Sequence, residues 1–197
     1  MIVKYCGITK EEEIQHLQQL PIDYVGFVFY KKSKRYVDKE QARRLRAKLK
    51  PSIPAVGVFV EEEIPKILEL LQEGIIQGVQ LHGEEEESYV LTLKEKMKQL
   101  RGDSFLWQAF ILKEEKDIER ANASPAGLIL LDGGKGEGKE AEAGLLQKIH
   151  RPYILAGGLS PGNVVEKIKA FSPYGLDVSS GIEEQREDGV RKSPEKM

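Results

Sequence analysis

Six short segments of this chain carry residue types that can do chemistry. Gly157-Gly158 follows the apolar run Tyr153–Ala156, and Ser179-Ser180-Gly181 follows Gly175–Val178. Glycine lets backbone N–H groups approach an anion closely, and serine hydroxyls add donors. Either turn alone reads equally as a tight reversal. Two of them after neighbouring strands read as one phosphate site, made by Gly157, Gly158, Ser179, Ser180 and Gly181. Asp132 ends a third apolar run and opens Gly-Gly-Lys-Gly-Glu-Gly-Lys. A nucleotide-binding P-loop needs Ser or Thr after its lysine, but Glu140 follows Lys139, so that reading is set aside. The glycines suit a mobile active-site loop, with Asp132 as a catalytic carboxyl or a turn residue.

Cys6 and His82 also end apolar runs, and Arg35 closes the cationic stretch Lys31-Lys32-Ser33-Lys34. Each has a plain alternative. A lone strand cysteine is commonly a small buried hydrophobe, a strand-end histidine a satisfied polar group, and a loop arginine a solvated charge. His16 and His150 fall away from these strand ends and receive no role.

The elements that must position these residues are legible as alternation. Apolar, β-branched runs at Ile2–Cys6, Tyr24–Val28, Ala55–Val60, Gly78–Leu81, Phe105–Ala109, Gly127–Leu131, Tyr153–Ala156 and Gly175–Val178 start 22 to 31 residues apart. Runs this continuous suit strands buried on both faces of a parallel sheet. Eight βα units with no break in composition predict an α/β fold, a compact (β/α)8 TIM barrel, as one domain over residues 1–197. Its chemistry then lies at the C-terminal strand ends, where the residues above stand. Thr9 with Glu12 predicts a capping box, Asp38 a cap, Gly74 a helix end and Glu84–Glu87 the opening of the fourth helix. After Asp177-Val178 only a polar tail remains, so the eighth helix is expected to be short or missing. Apolar surface between the first and seventh helices should then be exposed or covered, with a partner subunit as the leading cover.

Composition narrows the function further. The chain has 197 residues, 40% hydrophobic and 31% charged, with a formal net charge of −2. Mixed charge without a basic cluster argues against nucleic acid. No apolar run reaches spanning length, which argues against a membrane. Cys6 is the sole cysteine, so no internal disulfide forms, and a cytoplasmic enzyme is expected.

The ordered set of motifs resembles one family. Lys4-Tyr5-Cys6-Gly7-Ile8-Thr9, Gly26-Phe27-Val28-Phe29-Tyr30 through Ser33-Lys34-Arg35-Tyr36-Val37, and Val58-Phe59-Val60 are similar to segments of phosphoribosylanthranilate isomerases. Val79-Gln80-Leu81-His82-Gly83, Leu131-Asp132, Leu155-Ala156-Gly157-Gly158-Leu159 and Leu176-Asp177-Val178-Ser179-Ser180-Gly181 continue the series in order. The resemblance implies a cofactor-free, metal-free Amadori rearrangement of N-(5′-phosphoribosyl)anthranilate in tryptophan biosynthesis. It implies Asp132 as the acid that opens the furanose ring and Cys6, as thiolate, as the base that takes the C2 proton. Arg35 is implied to pair with the anthranilate carboxylate, with His82 and Asp177 as further substrate contacts. A small phosphorylated substrate is the expected partner, and the chain is expected to be a monomer or a homodimer. A related isomerase of histidine biosynthesis is similar but carries a carboxylate where Cys6 stands. An inactive, truncated phosphate-binding barrel is the other alternative.

Three departures from the family pattern stand out. Lys34 replaces a usual proline, the loop after Asp132 lacks the usual Ser/Thr, and the chain stops at Met197 shortly after Pro194-Glu195-Lys196. For the expected chemistry the thiol must lose a proton that free cysteine holds to about pH 8.5. Arg35 is the candidate cation for drawing it off, and a bell-shaped pH dependence is expected.

Overall fold

A computed structural model describes residues 1–132, 144–186 and 189–197. Eight parallel strands close on themselves in chain order: β1 (Ile2–Cys6), β2 (Tyr24–Val28), β3 (Ala55–Phe59), β4 (Gly78–Leu81), β5 (Phe105–Ile111), β6 (Leu128–Asp132), β7 (Tyr153–Ala156) and β8 (Gly175–Val178). β1 seals the barrel against β8, with Ile2 opposite Gly175 and Lys4 opposite Asp177. The expected (β/α)8 TIM barrel is therefore the architecture present. Three strand limits shift. β3 stops one residue early at Phe59, β5 runs two residues further to Ile111, and β6 is displaced by one residue to end on Asp132. Pairing explains the later ends, since Ile111 and Ala156 both stand opposite Asp132 across its neighbouring ladders.

Side chains alternate along each strand, so every second residue points into the barrel. Val56, Trp107, Leu130 and Ile154 fill its floor with Tyr24 and Phe105, whose rings meet Trp107 at 4.9 and 5.0 Å. Cys6, Val28 and Val58 pack together at the mouth. The other face of each strand buries Val25, Phe27, Val79, Leu106 and their neighbours under the helices.

The helices bounded at both ends among the described residues are α1 (Glu11–Leu17), α2 (Lys39–Lys48), α3 (Ile64–Gln72), α4 (Glu87–Leu100), α5 (Glu115–Ala123) and α6 (Val164–Phe171). Asp38 caps α2 by accepting from the Gln41 amide at 2.7 Å, and Gly74 ends α3 with φ +70°. The first capping box is displaced by one residue. Glu13 accepts from the Thr9 and Lys10 amides at 2.7 and 3.0 Å because Lys10, and not Thr9, precedes the first turn. The acidic run is divided as well. Glu86 and Glu87 open α4, while Glu85 turns inward, only 6% exposed, to accept from the Glu61 and Gly83 amides.

No helix follows β8 among the described residues. A 3-10 turn (Ser180–Ile182) leads into an antiparallel pair, β9 (Glu183–Arg186) and β10 (Gly189–Lys192). This hairpin and the tail lie on the α1 side of the gap. The Lys192 amide donates to Glu13 at 2.8 Å, and the Tyr5 hydroxyl donates to the Met197 carbonyl at 2.7 Å. The chain's own end thus covers that side of the gap. α6 buries none of its residues, and Val165 is exposed. Among the described residues no helix is long and apolar enough to cross a membrane.

Candidate active site

The barrel mouth holds a cavity of about 450 Å³. Nine of the ten residues chosen from sequence line it: Cys6, Arg35, His82, Asp132, Gly157, Gly158, Asp177, Ser179 and Ser180. Gly181 is the exception. A Cβ there would stand 1.7 Å from the Leu159 carbonyl oxygen, so its place is where the β8 loop crosses the β7 loop, with no room for a side chain.

Cys6 comes from the end of β1 and Asp132 from the end of β6, so they face the cavity from opposite parts of the ring. Gly26 stands beside Cys6 in register, and a Cβ on it would lie 2.7 Å from the thiol sulfur. His82 Nε2 is 3.9 Å from Asp132 Oδ2, and its Nδ1 meets the Gln80 side-chain nitrogen at 3.3 Å. The segment 133–143, where a mobile loop is expected, lies outside the described residues.

Below this rim is an ionic layer. Lys4, fully buried, donates at 2.9 Å to both oxygens of Asp177 and at 2.8 Å to Gln80. Asp177 is thus committed to a lysine as well as facing the cavity. Burial pushes the Cys6 thiol above its ordinary pKa; the ammonium of Lys4 and, secondarily, of Lys192 pull it back, while Asp177 adds to the rise. These two lysines lead among the cations acting on the thiol, and the Arg35 guanidinium, expected in that role, is coupled to the thiol charge as well.

Arg35 reaches from the loop after β2 over the end of β1 and lines the cavity. Its Nε donates to Glu183 Oε1 at 2.5 Å and its Nη2 to Oε2 at 2.8 Å. On the far side, Gly157 and Gly158 take φ +81° and +63°, conformations that suit glycine. Asn163 ties this turn to the start of α6, accepting from the Ser160 amide and donating to the Gly158 carbonyl, both at 2.9 Å. The Ser179 hydroxyl donates to the Cys6 carbonyl at 3.0 Å. Among the described residues no cluster of three His, Cys, Asp or Glu side chains could hold a metal.

Sequence reading missed Lys4, Gln80, Glu183 and Lys192. For the first two a signal was present. Lys4 lies two residues before Cys6 and Gln80 two before His82, so both share the inward face of their strands. A lysine at an inward position needs a buried acid, and Asp177 supplies it from β8.

Residues 3–197 match the family described as N-(5′-phosphoribosyl)anthranilate (PRA) isomerase. An N-(5′-phosphoribosyl)anthranilate isomerase of Clostridium acetobutylicum is 40% identical, the match covering 92% of this chain and 88% of that one. A phosphoribosyl anthranilate isomerase solved with reduced 1-(o-carboxyphenylamino)-1-deoxyribulose 5-phosphate superposes with TM-score 0.82 at 36% identity, covering 100% of this chain and 94% of the other. Monomers made from the dimeric enzyme of Thermotoga maritima superpose equally, with TM-score 0.82 at 38% identity and coverage of 100% and 94%. By sequence and by structure, the chain belongs to the N-(5′-phosphoribosyl)anthranilate isomerase family.

Proposed function

We propose that this chain converts N-(5′-phosphoribosyl)anthranilate to 1-(2-carboxyphenylamino)-1-deoxyribulose 5-phosphate, with Asp132 as general acid and Cys6 as general base. The observation that carries the assignment is the placement of both residues on one cavity, from strands β1 and β6. Asp132 gives its proton to the furanose oxygen as the C1–O bond breaks and the anilino nitrogen forms the Schiff base. The Cys6 thiolate then takes the proton from C2, giving an enolamine. Loss of the C2 hydroxyl proton and protonation at C1 complete the ketone, so the product is an isomer and no co-reactant is consumed.

The supporting groups divide the substrate between them. Arg35 faces the aromatic carboxylate, which matches a planar guanidinium fork. The positive-φ turn at Gly157-Gly158 and the β8 loop carrying Ser179, Ser180 and Gly181 take the phosphate. Because the Ser179 hydroxyl is engaged by the Cys6 carbonyl, backbone amides and Ser180 carry most of that contact. His82 stands beside Asp132, where it touches the ring oxygens of the sugar. Asp177 acts through Lys4, which keeps a positive charge under the thiol. The relative solved with a reduced product analogue supports a phosphorylated small-molecule ligand. The enzyme works in the cytoplasm, as a monomer or a homodimer; the Thermotoga maritima relative is described as dimeric, and sedimentation distinguishes the two states.

Turnover of freshly made substrate, followed by loss of anthranilate-type fluorescence, is the test. The parent should turn over, Cys6→Ser should fall by roughly a hundredfold or more because an alcohol is a far poorer base, and Asp132→Asn should stop ring opening. Both variants should still bind the reduced product analogue. A parent without turnover would return the chain to an inactive barrel, and a Cys6→Ser rate close to the parent would transfer the base to His82.

A further inference from the structure

The β9–β10 hairpin occupies the place of an eighth helix, yet its contacts exceed those a cover needs. Glu183, at its first position, sends a nearly buried carboxylate to Arg35 at the rim of the barrel mouth. The pairing is side-on: it uses the Nε and Nη2 donors of Arg35 and leaves the Nη1–Nη2 edge outside it. A guanidinium carries five N–H donors in a fixed plane, so fixing one edge fixes the direction of the other. Arg35 lines the cavity and Glu183 does not, so the carboxylate acts from behind the arginine.

Three further contacts make this a brace. Lys192, on β10 and 4% exposed, donates to Glu183 Oε1 at 2.8 Å and to the Ser179 carbonyl at 3.0 Å. It therefore joins the arginine clamp to the β8 loop. Gly7, with φ +79°, lets the stem of Arg35 lie flat over the end of β1, since a Cβ there would meet Arg35 Cδ at 2.3 Å. The Arg35 amide donates to Ser33 Oγ at 3.1 Å, which holds the backbone. Burial opposes the Glu183 charge, but the hydrogen bonds from Arg35 and Lys192 outweigh it and hold the carboxyl below its ordinary range.

We infer that Glu183 is a positioning residue for substrate recognition: it holds Arg35 side-on so that the free edge of the guanidinium meets the aromatic carboxylate. The hairpin then serves specificity as well as closure. Rotamer freedom of the arginine is lost on folding, before substrate arrives, so less is lost on binding. This rests on the assignment of Arg35 to the substrate carboxylate, and the experiment separates the two.

Two inhibitors are compared by titration calorimetry: the reduced product analogue, and the same compound without its ring carboxylate. Glu183→Gln should weaken the carboxylated inhibitor about tenfold and raise KM similarly, with a smaller fall in kcat. Binding of the carboxylate-free inhibitor should change by less than about twofold, and Glu183→Gln should add little in an Arg35→Ala background. Equal weakening of both inhibitors, or of neither, overturns the inference. If Arg35→Ala itself does not discriminate between them, the Arg35 assignment fails first. If Arg35→Ala discriminates and Glu183→Gln does not, only the role of Glu183 fails. Should Glu183→Gln not fold, Glu183→Ala with Lys192→Met removes both charges together and is held to the same comparison.

Discussion

Replacing Lys4 by methionine isolates the ionic layer under the thiol. The ammonium is fully buried and makes three hydrogen bonds, two to Asp177 at 2.9 Å and one to Gln80 at 2.8 Å. Methionine fills similar volume but donates nothing, so Asp177, 8% exposed, is left as a buried carboxylate without its cation. Breaking such a pair from one side costs about 3–5 kcal/mol. For a domain of this size each kcal/mol moves Tm by about 2–4 °C, so the variant should melt roughly 6–20 °C lower. Scanning calorimetry at pH 7 is the measurement. For Lys4, burial works against the charge, but Asp177 and Cys6 outweigh it and raise its pKa above 10.5. The stability it contributes is therefore complete below pH 10.5 and is lost only as pH climbs through the raised value. The deficit of Lys4→Met should accordingly be the same at pH 6 and pH 8. Lys4→Met with Asp177→Leu removes both charges and should recover most of the loss. A single variant melting within about 2 °C of the parent, or a double variant no better than the single, would refute the reasoning.

Other expectations follow from the same contacts. The active form needs a thiolate at Cys6 and a proton on Asp132, so kcat/KM should be bell-shaped in pH. Thiol ionisation, followed by the absorbance of the thiolate, should lie above the ordinary thiol range, because burial raises it more than the lysines lower it; Lys4→Met should move it higher still, and ionisation at lower pH would contradict the assignment. Gly26→Ala should cut turnover while leaving the phosphate loops intact, since its methyl would press on the Cys6 sulfur from 2.7 Å; a full parent rate would count against the position given to the thiol. Gly181→Ala drives a methyl into the Leu159 carbonyl and should cost about 1–3 kcal/mol in denaturant unfolding, with a raised KM as the two phosphate loops separate.

Periodicity and punctuation carried much of the architecture. Eight apolar runs, each buried on both faces, left a closed parallel barrel as the consistent solution, and all eight strands stand where alternation put them, within two residues at their ends. Asp38 and Gly74 worked locally, as cap and helix end, and were legible for that reason. The acidic run at 84–87 was not fully legible. Whether a glutamate opens a helix or turns inward depends on amides that arrive from elsewhere, and Glu85 meets those of Glu61 and Gly83.

The same distinction divides the site. The sequence by itself determined which residues stand at the strand ends, because strand position and chain order are local properties. Cys6, Asp132, His82 and the two glycine-serine turns were placed on that ground, and they share one cavity. Only the tertiary structure decided what tunes and aims them. Lys4 meets Asp177 across 173 residues of chain, Arg35 meets Glu183 across 148, and Lys192 reaches back to the β8 loop from a hairpin that no apolar periodicity announced. Charges in such pairs look like ordinary surface residues along the chain. Closing the barrel removes water from between them, and it is desolvation that turns each pair from an incidental contact into a determinant of position and protonation.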